Sequence, residues 1–248
     1  MQYVPPADRA SYEAAQLSRE TKFAYCKTAA ADVQRYVSVI QLDRARQRAT
    51  DPLGPLLCLG VRNGREVDLF RVFTQGSGLW QRVLRLGERR RFGYTSRWPW
   101  LESFGRSRWR DLRPASTLLD ATSARLCLGV ELSPLVQRSD VWNGSFDAVP
   151  AAWSGAFGLV FSNAFDHAYE PVSTAAHWWA LVRRGGYLVL DSGNPSEAVS
   201  RAIEPVGGFE PVGGFDLADV FKLFPGRLVY YHARGSEVGY STFILRKD

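Results

Sequence analysis

The sequence contains little cysteine and no long apolar run. Its 248 residues include three cysteines, at positions 26, 58 and 127, and no stretch approaches the ~20 apolar residues that a membrane helix needs. Cys58 and Cys127 stand inside apolar strand-like runs, where a thiol usually behaves as a small buried hydrophobe. Residues 1–8 do not combine a basic start with an apolar segment. We therefore expect a cytoplasmic protein without a disulfide scaffold, a signal peptide or a membrane contact.

Histidine is also scarce. The three histidines and three cysteines show no metal-ligand spacing, so the sequence predicts no metal site. We expect His177 and His232 to pack against neighbours or to face solvent.

The positive charge is concentrated in one segment. The whole chain carries a net charge of +6, but Arg71 to Arg113 holds eleven arginines against three acids, a local charge of +8, which leaves about −2 for the rest. Apart from this segment the composition is that of an ordinary globular protein, with 46% hydrophobic and 23% charged residues.

The first third of the chain predicts helices followed by a strand–turn–helix unit. Apolar residues recur at helical spacing over 7–47, and Asp51-Pro-Leu-Gly-Pro then breaks the pattern. Leu56 to Gly60 predicts a buried strand and Gly64 to Phe73 a helix. Residues 74–122 lack a clean period and predict an inserted subdomain. We thus expect an N-terminal helical segment over 1–50 and a main domain over 51–248.

The second half predicts further strands at wide spacing. Apolar strand patterns occupy 125–131, 139–142, 157–161 and 186–191, and a helical pattern occupies 172–183. Two last strands, at 227–233 and 240–246, flank a Gly-Ser-Glu-Val-Gly turn and predict an antiparallel hairpin. The fold class expected is α/β, a Rossmann-like doubly wound and mostly parallel sheet with this hairpin at its C-terminal end.

Open parallel sheets bind ligands at the carboxyl ends of their strands, so the residues that follow each strand carry the functional argument. Gly60 permits a sharp turn after the first strand, and Gly64 opens a helix whose free amides face a ligand. Glu131 ends the second strand, where a carboxylate can accept two hydrogen bonds from a ribose diol. Residues 143–150 and 162–171 follow the next two strands.

Taken in order, these segments resemble the class I S-adenosylmethionine-dependent methyltransferases, and among them the type 11 group. The segments are Leu-Leu-Cys-Leu-Gly-x-x-x-Gly, Gly-Val-Glu-Leu-Ser-Pro, Asn-Gly-Ser-Phe-x-x-Val-Pro, Phe-Gly-Leu-Val-Phe-Ser-Asn-Ala and Leu-Val-Arg-Arg-Gly-Gly-Tyr-Leu-Val-Leu-Asp. The resemblance implies that S-adenosylmethionine is the cofactor. It implies cofactor contacts from Gly60, Val61, Arg62, Asn63 and Gly64 at the methionine part, Glu131 and Leu132 at the ribose, Ser145 and Phe146 at the adenine, and Asn163 at the reactive end.

Three positions depart from the family pattern. Cys58 stands where the family usually has an acid, and Arg62 stands where it has a glycine. Arg62 could meet the cofactor carboxylate through a charge-assisted contact, or it could fill the site. The adenine-side acid of the family appears as Ser145, unless Asp147 has taken over its role.

Two residues are candidates for a chemical role. Methyl transfer from a sulfonium is an in-line displacement that depends largely on positioning. An oxygen or nitrogen acceptor that carries a proton also needs a base. Asp166 and His167 follow the fourth strand, where such a base would reach the methyl group. The alternative is that both residues only shape the pocket.

The arginine-rich segment admits three interpretations. Trp80, Trp98, Trp100 and Trp109 interleave with its arginines, a mixture that suits a packed cap, an anionic small acceptor or single-stranded nucleic acid. We expect a small-molecule acceptor, with nucleic acid binding through 71–113 as the alternative. The repeated Glu-Pro-Val-Gly-Gly-Phe of 204–215 predicts either a lengthened surface loop or a hinged lid.

Two other functions remain open. One is a non-catalytic protein of the same fold that binds a partner through the basic segment. The other is a nicotinamide oxidoreductase, but there the ribose acid lies ~20 residues after the glycine turn, whereas Glu131 lies 71 residues after Gly60. The oligomeric state does not follow from the sequence.

Overall fold

A computed structural model describes residues 9–17, 28–61, 64–75, 127–134, 136, 138, 140–165, 168–192, 222–232 and 241–248. Residues 76–126, which include most of the arginine-rich segment, lie outside these residues, as do the tandem repeat (204–215) and Cys26. The same holds for Arg62, Asn63, Asp166 and His167. Predictions that concern them stay predictions.

Within the described residues, a seven-stranded sheet forms the centre of the molecule in the spatial order β3-β2-β1-β4-β5-β7-β6. Strands β1 to β5 run parallel, and β7 runs antiparallel to both β5 and β6. The strands are β1 (Leu56–Leu59), β2 (Cys127–Glu131), β3 (Val141–Asn143), β4 (Phe157–Ser162), β5 (Val182–Ser192), β6 (Arg227–His232) and β7 (Ser241–Arg246).

Four helices accompany the sheet in the described residues: α1 (Arg9–Leu17), α2 (Ala30–Arg46), α3 (Arg65–Gln75) and α4 (Pro171–Leu181). A short 3₁₀ turn (Ala151–Trp153) precedes β4. None of these helices is long and apolar enough to cross a membrane.

Both faces of the sheet are covered, because successive side chains of a strand point to opposite faces. In β1, Leu56 and Cys58 join a core cluster that includes α2 and α3 side chains. Leu57 and Leu59 join the opposite cluster, which includes Trp178 of α4. The central strands are therefore buried throughout and read as unbroken apolar runs. The expected doubly wound α/β fold with its C-terminal hairpin is confirmed.

The junction between α4 and β5 lies earlier than the sequence predicts. The helix predicted to reach residue 183 ends at Leu181, and β5 begins at Val182, before the glycine pair at 185 and 186. Val182 already pairs with Phe157 of β4, and the register then shifts before Tyr187 meets Leu159. The Gly185 amide also bonds to the Lys247 carbonyl oxygen at 2.7 Å. These long-range pairings recruit residues that local periodicity assigns to a helix.

Candidate functional site

The candidate site lies at the carboxyl edge of the sheet, where the strand order reverses. Strand β1 has β2 on one side and β4 on the other, so the chain leaves β1 at the point where parallel sheets open a crevice. We call this region the carboxyl edge, and it contains the ends of β1 to β5.

A tight bend follows β1 at this edge. The amides of Gly60 and Val61 both donate to the Val130 carbonyl oxygen, at 2.9 and 3.1 Å, and the Gly64 amide donates to the Val61 carbonyl oxygen at 2.7 Å. Gly60 and Gly64 have φ values of +76° and +78°, which residues with a side chain rarely adopt. The two glycines therefore let the chain leave β1 and enter α3 within five residues.

Gly60 also lies against its neighbours more closely than any side chain would allow. A Cβ at this position would stand 2.7 Å from the Ala164 Cβ and 3.7 Å from the Phe146 ring. The end of β1, the start of the loop after β4 and the loop after β3 thus meet at one point.

We expect Gly60→Ala to destabilise the protein more than Gly185→Ala does. Gly185 has a similar φ of +71° but nothing within 4 Å of the added Cβ, so both substitutions incur the backbone penalty of about 1–2 kcal/mol. Only Gly60→Ala adds the clash, which costs about 1–3 kcal/mol more. Denaturant unfolding of both variants measures the difference, and equal losses would contradict the close approach described above.

Glu131 stands beside this bend. Val130 pairs with Leu59, so Glu131 of β2 and Gly60, the first residue after β1, each follow a paired position. The half-buried carboxylate accepts a hydrogen bond from the Ser133 amide at 3.1 Å, and the Glu131 carbonyl oxygen accepts one from the Gly144 amide at 2.9 Å. Leu132, also half-buried, follows directly. A carboxylate therefore lies next to the glycine bend at the carboxyl edge.

The loop after β3 forms another side of the site. Arg9 of α1 donates to Ser145 Oγ at 3.0 Å, so the N-terminal helix reaches this loop. The Phe146 carbonyl oxygen accepts from Trp178 Nε1 at 3.1 Å, and the two rings lie edge to face at 5.3 Å. A buried tryptophan of α4 thus fixes the position of Phe146 beside Gly60.

Asp147 follows in the same loop. Its carboxylate accepts a hydrogen bond from Thr174 Oγ1 at 2.5 Å. Burial raises the pKa of Asp147, while the Thr174 hydrogen bond and the Arg9 charge oppose the rise. The resemblance left either Ser145 or Asp147 on the adenine side, and the structure brings both next to α1.

The end of β4 contributes a polar, enclosed segment. Ser162 Oγ donates to the Leu59 carbonyl oxygen at 3.1 Å and accepts from the Ala164 amide at 3.1 Å, which ties the end of β4 to that of β1. Asn163 Nδ2 donates at 3.0 Å to Oγ1 of Thr28, a buried residue just before α2. The chain leading into α2 thus contacts the residue predicted at the reactive end.

A buried carboxyl at the end of β5 was not among the sequence-predicted site residues. Tyr36 Oη donates to Oδ1 and Oδ2 of Asp191 at 2.7 and 2.6 Å, and Thr242 Oγ1 donates to Oδ1 at 2.8 Å. Burial is the largest cause that raises the pKa of Asp191, to about 7. The only sequence signal was the strand-end position of Asp191, because Tyr36 reads as one more apolar position of α2.

Cys58 occupies the last position but one of β1. It is fully buried and free, as is Cys127 of the adjacent strand, which confirms that both thiols pack as small hydrophobes. Burial raises the pKa of Cys58 well above its usual value, and Cys127 adds to the rise. The thiol in place of the family's acid is therefore a neutral group inside the sheet.

No protein-family model and no curated protein matches the sequence. Among solved structures, the antibiotic-resistance methyltransferase Kmr is 14% identical, with 83% of this chain and 93% of that chain covered and a TM-score of 0.41. A methyltransferase from Thermotoga maritima described as a possible histamine N-methyltransferase is 13% identical, with 96% and 98% covered and a TM-score of 0.40. The magnesium protoporphyrin IX methyltransferase of Synechocystis, solved with bound S-adenosylhomocysteine, is 10% identical, with 99% and 90% covered and a TM-score of 0.37. At such low sequence identities and TM-scores, any functional assignment depends on the residues of this chain.

Proposed function

We propose that the protein is a cytosolic methyltransferase that uses S-adenosylmethionine and acts on a small or medium organic acceptor. The observation that carries the proposal is the position of Glu131 beside the Gly60 bend, at the carboxyl edge where the strand order reverses. An acid and a glycine turn on adjacent strands form the pair that a nucleoside with an attached amino acid requires. The family resemblance of the sequence supports the same assignment.

The residues of the edge fit the parts of this cofactor. Glu131 supplies carboxylate acceptors for the ribose hydroxyls. Gly60, Val61 and Gly64 bring backbone close to the amino-acid part without a side chain at either glycine. Arg62 and Asn63, which lie between them in the sequence, are proposed as further contacts to that part. Phe146 offers an apolar ring on the adenine side, held by Trp178. Ser145 or Asp147 supplies the polar contact there.

When bound, S-adenosylmethionine supplies an activated methyl group on a sulfonium. The chain then has to hold donor and acceptor in line and to keep water out, since positioning alone can lower the barrier of such a displacement by ~7–11 kcal/mol. Asn163 is the described polar side chain that we assign to the methyl end. Asp166 and His167 are proposed as the acid–base residues that follow it in the chain.

A small acceptor suits the way in which the edge is covered. Arg9 of α1 and Thr28 before α2 both contact residues of the proposed site, so N-terminal segments lie over it. Arg71, the first arginine of the basic segment, is used internally: it binds Asp140 at 2.7 Å and the Cys127 carbonyl oxygen at 3.2 Å. Nucleic acid as acceptor would depend on the arginines that follow.

Calorimetric titration with S-adenosylhomocysteine tests the proposal. We expect saturable heat with one site per chain and a concentration-dependent rise in Tm. No heat and no thermal shift at millimolar ligand would remove the enzyme assignment and would favour the non-catalytic binding protein of the same fold. Steep loss of RNA binding with added salt would favour the nucleic-acid acceptor.

A further inference from the structure

The Asp191 carboxyl occupies a position near the methyl end of the proposed site. Leu190 pairs with Ser162 across β5 and β4, so Asp191 of β5 and Asn163, the first residue after β4, each follow a paired position. Adjacent strands lie ~4.8 Å apart. The acid at the end of β5 is therefore one strand away from the residue that we assign to the methyl end.

Two hydroxyls from different elements hold this carboxyl in place. Tyr36 comes from α2 and Thr242 from β7, and each donates to Asp191 within 2.8 Å. Asp191 is 2% exposed, and Tyr36 and Thr242 are 0% exposed. A carboxyl that is fixed and shielded from water cannot reorient or gain hydration when a charge arrives nearby. It can respond only by gaining or losing its proton.

The charged groups around Asp191 do not fix its protonation state. Among the described residues, the charged neighbours that affect it are Asp32 and Arg35 on α2, which pair with each other. Asp32 raises the pKa of Asp191 and Arg35 lowers it, and burial outweighs both, which brings the pKa to about 7. Near neutral pH the group is thus divided between its two protonation states.

We propose that Asp191, held by Tyr36 and Thr242, is a charge partner of the methyl-donor end of the site, so that the positively charged donor binds more tightly than its neutral demethylated product. The inference rests on the proposed function. Donor and product share the adenosine and the amino-acid part and differ by the methyl group and one positive charge on sulfur. A sulfonium near Asp191 favours the carboxylate, whereas the thioether leaves a buried carboxylate uncompensated, and the group then takes up a proton from solvent. Asp191 is a positioning residue in this account, since Asn163 is the side chain that we assign to the methyl end.

The test compares the affinities of S-adenosylmethionine and S-adenosylhomocysteine by calorimetry between pH 5.5 and 8.5. In the wild-type protein we expect the preference for the charged ligand to grow by about tenfold over this range, which corresponds to a displacement of the Asp191 pKa by about one unit. In Asp191→Asn we expect this increase of the preference with pH to be absent. Titration of the ligands themselves is the same for both proteins, so the difference between the two profiles isolates Asp191.

Two further variants sharpen the comparison. Tyr36→Phe removes a hydrogen bond that lowers the pKa of Asp191, so we expect the profile to keep its shape with a midpoint at higher pH. Asp51→Asn removes an exposed carboxylate that precedes β1 at the opposite edge of the sheet, and it should reproduce the wild-type profile. Should Asp191→Asn fail to fold, proton counting on the wild-type protein replaces it. Titrations at pH 7 in two buffers of different ionisation heat should show more proton release with the charged ligand than with the neutral one.

The outcomes separate the two proposals. A wild-type preference that grows with pH and a flat one in Asp191→Asn support the charge partner. If both ligands bind and the two proteins give the same pH profile, the charge partner is wrong and the proposed function stands. If neither ligand binds the wild-type protein, the proposed function fails, and this inference fails with it.

Discussion

Glu131→Gln should weaken the binding of S-adenosylhomocysteine by about 1.5–3 kcal/mol, roughly 10- to 150-fold, which is the usual contribution of hydrogen bonds to a charged group. The amide keeps the size of the side chain but removes the negative charge and one acceptor. Its shape allows the Ser133 amide to keep an oxygen partner, so we expect only a small change in the free energy of unfolding. Calorimetric titration of the wild-type and variant proteins measures the effect.

Asp51→Asn provides the matched control for this substitution. It makes the same chemical change to a carboxylate that lies at the amino end of β1 and binds Arg44 and Arg183. The control should bind the ligand as the wild-type protein does. Unchanged affinity in Glu131→Gln, or an equal loss in both variants, would contradict the proposal that Glu131 binds the ribose hydroxyls.

The stability of the protein should also depend on Asp191 in a direction opposite to that of most carboxyls. Its pKa is raised to about 7 in the folded protein, so the folded state holds this proton more tightly than the unfolded chain does. The corresponding stabilisation is complete below the unfolded pKa of ~3.9 and is lost as the pH rises towards the folded value. Over that window the loss amounts to about 4 kcal/mol.

Asp191→Asn should remove this loss, because an amide does not ionise. The substitution also changes stability by an amount that does not depend on pH. Apart from that amount, the free energy of unfolding of the variant minus that of the wild-type protein should rise by about 4 kcal/mol from pH 4 to pH 8. Urea unfolding at several pH values measures the change. Asp51 tests the sign: its pKa is lowered by Arg44 and Arg183, so Asp51→Asn should show a small shift of the opposite sense. A constant offset for Asp191→Asn would mean that the group keeps one protonation state.

The sequence predicted the sheet well because each central strand has a clear local pattern. The segments Leu56–Leu59 and Phe157–Ser162 are buried along their whole length, and such continuous apolar runs between turns leave few alternatives to a parallel strand. The C-terminal hairpin was equally readable, since two β-rich runs flank a glycine turn. Strand β5 was predicted too short, because its first residues become a strand only through pairing with Phe157.

The site was only partly accessible to the same reasoning. Gly60 and Glu131 could be predicted because each follows a strand, and the edge of a parallel sheet collects such residues. Contacts such as Arg9 with Ser145 or Tyr36 with Asp191 join residues 136 and 155 positions apart. No local pattern encodes these pairs, since Tyr36 has the spacing of a core residue and Arg9 that of an exposed one. These individual contacts between the N-terminal helices and the site are therefore a finding of the structure.

The position of β1 has a consequence for how this protein is made. Leu56 has its two neighbours, Cys127 and Leu159, 71 and 103 positions further along the chain. At a synthesis rate of ~5–20 residues per second, β1 waits about 5–20 s for its second neighbour. During that time the apolar segment Leu-Leu-Cys-Leu can pair with other chains, and slower translation lengthens the exposure. The strand on which the binding edge depends is thus exposed to aggregation in the nascent chain until β2 and β4 have been made.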